Sequence, residues 1–300
     1  MIHKYQNGNY TVEIDDVTGT KIRTTEEDKF ISAYPESIDC SITYKCNGGC
    51  DFCYMGCTEN GKHANLNSDY INNVFLPSLQ PYTELALNGN DLSHPQLCTF
   101  LQKLKEHNVI ANITVNQKHF IECHDLLYKL YNNKLIHGIG VSLTEPNLKL
   151  ITLMQKIPST VLHVIAGVLS PKDIIALSYH DLKLLILGYK RKGRGNNYYV
   201  ENAESVNSNI DYLKEILPSL INQGAFNLIS FDNLALDQLS VRLIMSEEQW
   251  EEFYMGNDGD FTYYCDLVNM TYAKDSLTKQ NYDIGNKSVI EMFKSLKELS

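Results

Sequence analysis

The chain has 300 residues, 43% of them hydrophobic, and 26 Lys and Arg against 36 Asp and Glu give a formal net charge of −10. That length suits one large domain, or a barrel with small additions, and the acidic balance argues against a general nucleic-acid or membrane-surface binder, which needs a positive field. No apolar run approaches the roughly 20 residues of a membrane-crossing helix, and Met1 to Gly8 holds no signal-peptide core, so the expected location is the cytoplasm.

In chain order, residues 9–14 and 20–24 alternate like a hairpin with Thr18-Gly19 as its turn. A short strand is expected over 37–43, and the cysteine loop follows it directly. Short apolar runs then alternate with longer amphipathic stretches. Strands are expected at 83–87, 109–115, 138–143, 161–167 and 183–188, and helices at 67–78, 95–107, 119–132, 146–156, 171–179 and 208–221. Apolar spacings of three and four, as in Phe100, Leu101 and Leu104, support the helices. Crossovers of this length imply a parallel sheet with helices outside.

The helices look alike throughout, and no Gly-rich dinucleotide turn follows the first strand. Both favour an α/β partial (β/α)6 TIM-like barrel over an open doubly wound sheet. A further strand-like run covers 226–231. The tail over 253–285 is rich in Tyr, Asp and Gly, with strand-like runs at 261–267 and 269–273, and a last helix is expected over 288–299. The expected organisation is an N-terminal β-hairpin extension over 1–35, the barrel over 36–235 and a small C-terminal α+β extension over 236–300.

Eight cysteines are placed unevenly: Cys40, Cys46, Cys50, Cys53 and Cys57 fall within 18 residues, while Cys98, Cys123 and Cys265 are scattered. Clustered cysteines in a reducing compartment usually hold metal. Cys46-Asn47-Gly48-Gly49-Cys50-Asp51-Phe52-Cys53 leaves three residues between the first pair and two between the second. Soft thiolates suit iron–sulfur clusters and zinc. Three sulfurs curled around a cubane leave one iron open, a position for a chelating ligand. The loop follows the first barrel strand, on the face where barrels do their chemistry.

Cys57 stays open between two roles: a fourth ligand, closing a zinc tetrahedron with the other three, or a free thiol beside the site. A single Cys-x-x-Cys knuckle favours an iron–sulfur cluster over zinc, the isolation of Cys98, Cys123 and Cys265 favours one cluster, and neither Cys40, on the preceding strand, nor Cys57 is expected to be a ligand. Lys190-Arg191-Lys192-Gly193-Arg194 reads either as a solvated loop or as a contact to a carboxylate or other anion. His94 and Asp232 stand at strand ends, and Tyr254, Tyr263, Tyr264 and Tyr272 enrich the tail. No hydrolytic motif is recognisable.

With Phe52 immediately before the third cysteine, the chain resembles the radical S-adenosylmethionine superfamily, and as a whole it is similar to small single-cluster proteins of that kind from bacteria and phages. Leu87 to Pro95 looks like the Gly-Gly-Glu-Pro segment that holds the methionine amino group of the cofactor. Val141-Ser142-Leu143 looks like the fourth strand, and Ile165-Ala166-Gly167 like the fifth-strand segment that packs on adenine. The resemblance covers about residues 37–190.

That resemblance implies a [4Fe–4S] cluster on Cys46, Cys50 and Cys53. It implies S-adenosylmethionine contacts from Phe52, Asn88, Gly89, Asn90, Asp91, Asn116, Ser142, Ile165 and Gly167. Asn90 stands where the family has Glu and Asn88 where it has Gly, so the amino-group contact falls to Asn90 or Asp91. The implied reaction is reductive cleavage of S-adenosylmethionine to a 5′-deoxyadenosyl radical, which takes hydrogen from a substrate the sequence does not name. A flavodoxin or ferredoxin is the implied reductant. The alternative is a non-catalytic iron–sulfur or zinc binding or sensor protein on the same scaffold, motivated by Asn90 and Cys57.

Overall fold

The computed structural model describes residues 1–298. At the N-terminus β1 (Ile2–Asn7), β2 (Tyr10–Asp15) and β3 (Lys21–Thr24) form an antiparallel sheet in that order. The β2–β3 hairpin is the one expected, with Tyr10, Val12 and Ile14 buried on its inward face. β1 is additional. Its His, Lys and Gln carry no apolar alternation, and it is placed by the turn into β2. Gly8 in that turn has φ +62°, and a Cβ there would lie 1.8 Å from the Ile31 carbonyl oxygen.

The second sheet has ten strands: β4 (Ser37–Ser41), β5 (Glu84–Asn90), β6 (Ile110–Asn116), β7 (Gly138–Ser142), β8 (Thr160–Ile165), β9 (Lys183–Leu187), β10 (Leu228–Phe231), β11 (Thr262–Asp266), β12 (Thr271–Ala273) and β13 (Tyr282–Asp283). From β4 to β10 each strand pairs in parallel with the next in sequence. That order makes a barrel wall; a doubly wound sheet would reverse at a switch point. β10 and β13 end the sheet, so the wall stays open and the barrel is partial. β11 lies parallel on the outer side of β4, with Cys265 opposite Cys40, so the C-terminal strands continue the barrel's own sheet.

Apolar side chains of the wall point outward to the helices. Leu85 and Leu87 of β5, Ile113 and Val115 of β6, and Leu162 and Val164 of β8 are buried against Phe100, Leu104, Phe120 and Ile174. This leaves the alternate, mostly polar or small positions facing inward: Glu84, Ala86 and Asn88; Asn112, Thr114 and Asn116; Gly138, Gly140 and Ser142.

Several helices differ from expectation. The stretch expected over 208–221 is the end of a 29-residue helix, Arg194–Asn222, with a non-helical residue at Asn202. Its first six residues, Arg-Gly-Asn-Asn-Tyr-Tyr, lack an apolar stripe and are helical through their contacts. The helix expected over 119–132 breaks at Cys123 into Gln117–Glu122 and His124–Asn132. The one expected over 67–78 contains a π-helical turn at Ile71–Phe75. Helices Asn233–Gln238 and Glu247–Phe253 are additional, the second opened by a Ser246/Gln249 capping box. The last helix spans Val289–Glu298, and Leu299 of the expected span lies outside the described residues. No described helix is long and apolar enough to cross a membrane.

The N-terminal sheet is fastened beneath the barrel by buried charge. Arg23 Nε donates to Glu36 Oε1 at 2.8 Å, Tyr10 Oη donates to the same oxygen at 2.6 Å, and Lys21 Nζ donates to Glu84 Oε2 at 2.7 Å. The β2–β3 turn then reaches the bottom of the barrel, where Ser159 Oγ donates to the Val17 carbonyl at 3.1 Å.

Candidate functional site

A cavity of about 660 Å³ fills the barrel interior, from the cysteine loop at the C-terminal ends of the strands down to the Asp15–Gly19 turn. The cysteine loop leaves β4 at its top and is held by two asparagines of β5. Asn88 Oδ1 accepts from Ile42 N at 2.7 Å, and its Nδ2 donates to the Thr43 carbonyl at 2.6 Å, so the side chain continues the β4–β5 ladder. The register then slips between Asn88 and Asn90. A Cβ on Gly89 would lie 2.5 Å from the Ile113 side chain, which keeps this bulge glycine. Asn90, at φ +51°, donates through Nδ2 to the Thr43 and Lys45 carbonyls at 3.1 and 3.2 Å and to Cys57 Sγ at 3.4 Å.

The far side of the loop is held by the start of the long helix. Arg194 donates from Nε to the Cys50 carbonyl at 3.0 Å, from Nη1 to the Cys57 carbonyl at 2.7 Å and from its backbone N–H to the Cys53 carbonyl at 3.1 Å. Gly193 makes this approach possible: its φ is +56°, and a Cβ would lie 2.4 Å from the Tyr54 carbonyl oxygen. Of the two roles open to the basic stretch, the structure gives Arg194 neither. Its guanidinium is spent on loop carbonyls. Arg194→Met should keep the fold and loosen the loop. Hydrogen bonds from a charged donor contribute about 1.5–3 kcal/mol each, so metal loss to a chelator is expected to run roughly tenfold faster, followed by absorbance. An unchanged rate would show that the clamp is dispensable.

Cys46, Cys50 and Cys53 all line the cavity, together with Cys57. Gly48 N donates to Cys46 Sγ at 3.4 Å and Asn116 Nδ2 to Cys50 Sγ at 3.1 Å. A hydrogen bond from the buried Cys57 thiol holds Cys53 below the ordinary thiol value and pushes Cys57 up, while burial raises Cys46 and Cys50. Among the described residues, no three His, Cys, Asp or Glu side chains are gathered as a site for a single metal ion. The four thiols share the lining of one cavity of about 660 Å³.

Of the other sequence-predicted contacts, Phe52, Asn88, Asn90, Asn116, Ser142 and Ile165 line the same cavity. Gly89, Asp91 and Gly167 lie away from its wall. Gly89 is packed on β6. Asp91 is turned into its own loop, accepting from Ser93 N at 3.1 Å and Ser93 Oγ at 2.5 Å. Gly167, at φ +86°, is pressed against the long helix, where a Cβ would lie 2.7 Å from the Val206 side chain.

Sequence reasoning missed other inward groups of the wall: Asp39 and Ser41 of β4, Thr114 of β6 and His163 of β8. Their period-two placement within otherwise apolar strands was the available signal. His163 lies over Gly140, where a Cβ would meet its ring at 2.3 Å, and burial pushes it down to about 4, so it is neutral near pH 7. Tyr264 Oη is hydrogen-bonded to Ser41 Oγ at 2.8 Å.

No protein-family model matches the chain, and no curated protein matches it. Solved structures do. Streptococcus suis SuiB bound to S-adenosylmethionine superposes with a TM-score of 0.62 at 11% identity, over 99% of this chain and 89% of that one. SuiB bound to the precursor peptide SuiA gives 0.59 at 12% identity, over 98% and 87%. At these identities the likeness establishes the fold: the chain is a partial (β/α) barrel of the architecture that its cysteine loop implies.

Proposed function

We propose that this chain is a radical S-adenosylmethionine enzyme. The observation that carries the reading is the convergence of three loop thiols, Cys46, Cys50 and Cys53, on a barrel cavity also lined by Phe52, Asn88, Asn90, Asn116, Ser142 and Ile165. The donor set fits an iron–sulfur cluster: soft thiolates, one loop, and room in front of them. That a protein of the same fold was solved with S-adenosylmethionine bound supports the same cofactor here.

When bound, the cluster would supply the electron that breaks the sulfonium carbon–sulfur bond of S-adenosylmethionine, yielding methionine and the 5′-deoxyadenosyl radical. The chain's own residues bind, orient and shield. Asn116 Nδ2 and Gly48 N donate to Cys50 and Cys46 sulfur, which lowers the electron density on the thiolates and favours the reduced state. Asn90 has all its amide donation committed to the loop and to Cys57, which leaves its Oδ1 as acceptor for the methionine ammonium. Asp91 is engaged with Ser93, so that contact is assigned to Asn90. Ser142 and Ile165, on the tops of β7 and β8, line the same cavity and would meet the ribose and the adenine. The β2–β3 turn, Asp15 to Gly19, lines the lower end of the cavity. A reductant such as flavodoxin or ferredoxin completes the scheme.

The test is spectroscopic. Adding S-adenosylmethionine to the reconstituted, dithionite-reduced chain should change the paramagnetic resonance spectrum of the cluster, because the open iron takes the ligand. An unchanged spectrum at saturating cofactor would favour a closed site, with Cys57 as fourth ligand and a sensor role.

A further inference from the structure

Below the thiols the cavity has a second set of groups that the cofactor reading leaves without work. Asp39 sits on β4 two residues before Ser41, with its side chain on the same inward face, roughly 7 Å nearer the barrel bottom. It is exposed, and it lines the cavity. Among the described residues its carboxylate has neither a hydrogen bond nor an ion pair. Burial pushes it up from the usual carboxylate range, with Asp258 and Asp232 adding to the rise and Lys190 opposing it.

Lys190 does not neutralise it. The Lys190 ammonium lies 3.9 Å from Asp232 Oδ2, donates to Ser276 Oγ at 3.3 Å and stands 4.5 Å over the Tyr54 ring. Three carboxylates therefore share one cation that is already committed. A carboxylate that faces a cavity with neither a hydrogen bond nor an ion pair is available to a ligand. The charge is spread along the cavity with no compact metal-ion site among the described residues, which suits the cationic end of an organic molecule. His163, neutral and without a hydrogen-bond partner among the described residues, faces the same cavity from β8, four strands round the wall.

We propose that the lower barrel cavity is the substrate site, and that it takes a small molecule bearing a primary ammonium or guanidinium group, received by Asp39 with His163 hydrogen-bonding its polar remainder. The site rests on the cofactor reading for its role as substrate site, and its affinity for a cation stands on its own. A substrate held there lies beneath the thiols and within reach of chemistry started at the strand ends.

The test uses the full chain under anaerobic conditions without S-adenosylmethionine, so that it is independent of cofactor cleavage. Pentylamine and 1-pentanol, alike in size, are titrated separately at pH 7 and followed by saturation-transfer NMR. Pentylamine should bind saturably and at least roughly tenfold more tightly than the alcohol, as expected for a hydrogen bond to a charged partner. In Asp39→Asn, shown to be folded by its thermal transition, the amine should fall to within about twofold of the alcohol. Equal binding of the two in the unaltered chain, no saturable amine binding, or full amine affinity in Asp39→Asn would each overturn the proposal. If Asp39→Asn does not fold, the comparison of amine with alcohol in the unaltered chain decides alone.

Discussion

Single replacement of Cys46, Cys50 or Cys53 by Ala is expected to abolish the intact iron–sulfur centre. Each thiol lines the same cavity wall, and each loop segment is held by its own contacts: Cys46 N on the Thr58 carbonyl at 2.9 Å, Cys50 and Cys53 through the Arg194 clamp. Those contacts fix the backbone on either side of each thiol. Cluster binding energy is shared among few ligands, so losing one of three removes most of it. After reconstitution the broad absorbance near about 400 nm should be lost in all three variants. Cys57→Ala is the control. Cys57 donates to Cys53 and accepts from Asn90, a supporting position, so this variant should keep the absorbance and the iron content. If Cys57→Ala loses the centre while one of the three tolerates replacement, the ligand assignment is wrong.

Glu36→Ala is the second large effect. Glu36 is 1% exposed and is shared by Arg23, Lys21 and Tyr10. Removing it leaves a guanidinium and an ammonium in a nearly dry junction between the N-terminal sheet and the barrel. Breaking a buried ion pair from one side costs about 3–5 kcal/mol. That loss should appear as a lower urea midpoint with an unchanged slope.

The network also sets a pH dependence. Burial alone would raise Glu36, but Lys21 and Arg23 outweigh it and hold the carboxyl below its ordinary 4.5. The stabilisation is therefore present above about pH 4.5 and is lost as pH falls through the lowered value. In Glu36→Ala this part of the acid sensitivity should disappear. An unchanged midpoint would mean that the sheet docks by packing of Tyr10, Val12 and Ile14 alone.

Much of this architecture is legible in the sequence, for identifiable reasons. Leu85 and Leu87, Ile113 and Val115, and Leu162 and Val164 alternate because one face of the wall must meet the helices, and that alternation marks the strands. The cysteine spacing is equally plain. The barrel's closing parts are not. β1 has too little apolar pattern to show itself, and the first turns of the long helix form where Gly193 and Arg194 meet the cysteine loop, a contact across 137 residues of chain that no local window contains.

The candidate site divides the same way. Asn88 and Asn90 stand out in sequence as departures from the family's Gly and Glu. Only the bulge at Gly89 shows why amides are useful there, since they bond the loop carbonyls that a carboxylate would repel. Asp91 is a charge of the right sign at the next position, yet the turn to Ser93 carries it off the wall. One acid in a short strand gives no local sign of its role, and Asp39 faces a cavity only once the sheet curls.

The measurement that bears most directly on the central claim is product formation. The anaerobically reconstituted chain is reduced with dithionite in the presence of S-adenosylmethionine, and 5′-deoxyadenosine is followed with time. The account predicts its formation with equal methionine, dependent on Cys46, Cys50 and Cys53 and independent of Cys57. A chain that carries the cluster and binds the cofactor but forms no deoxyadenosine would contradict it, and would leave the barrel as a binding scaffold.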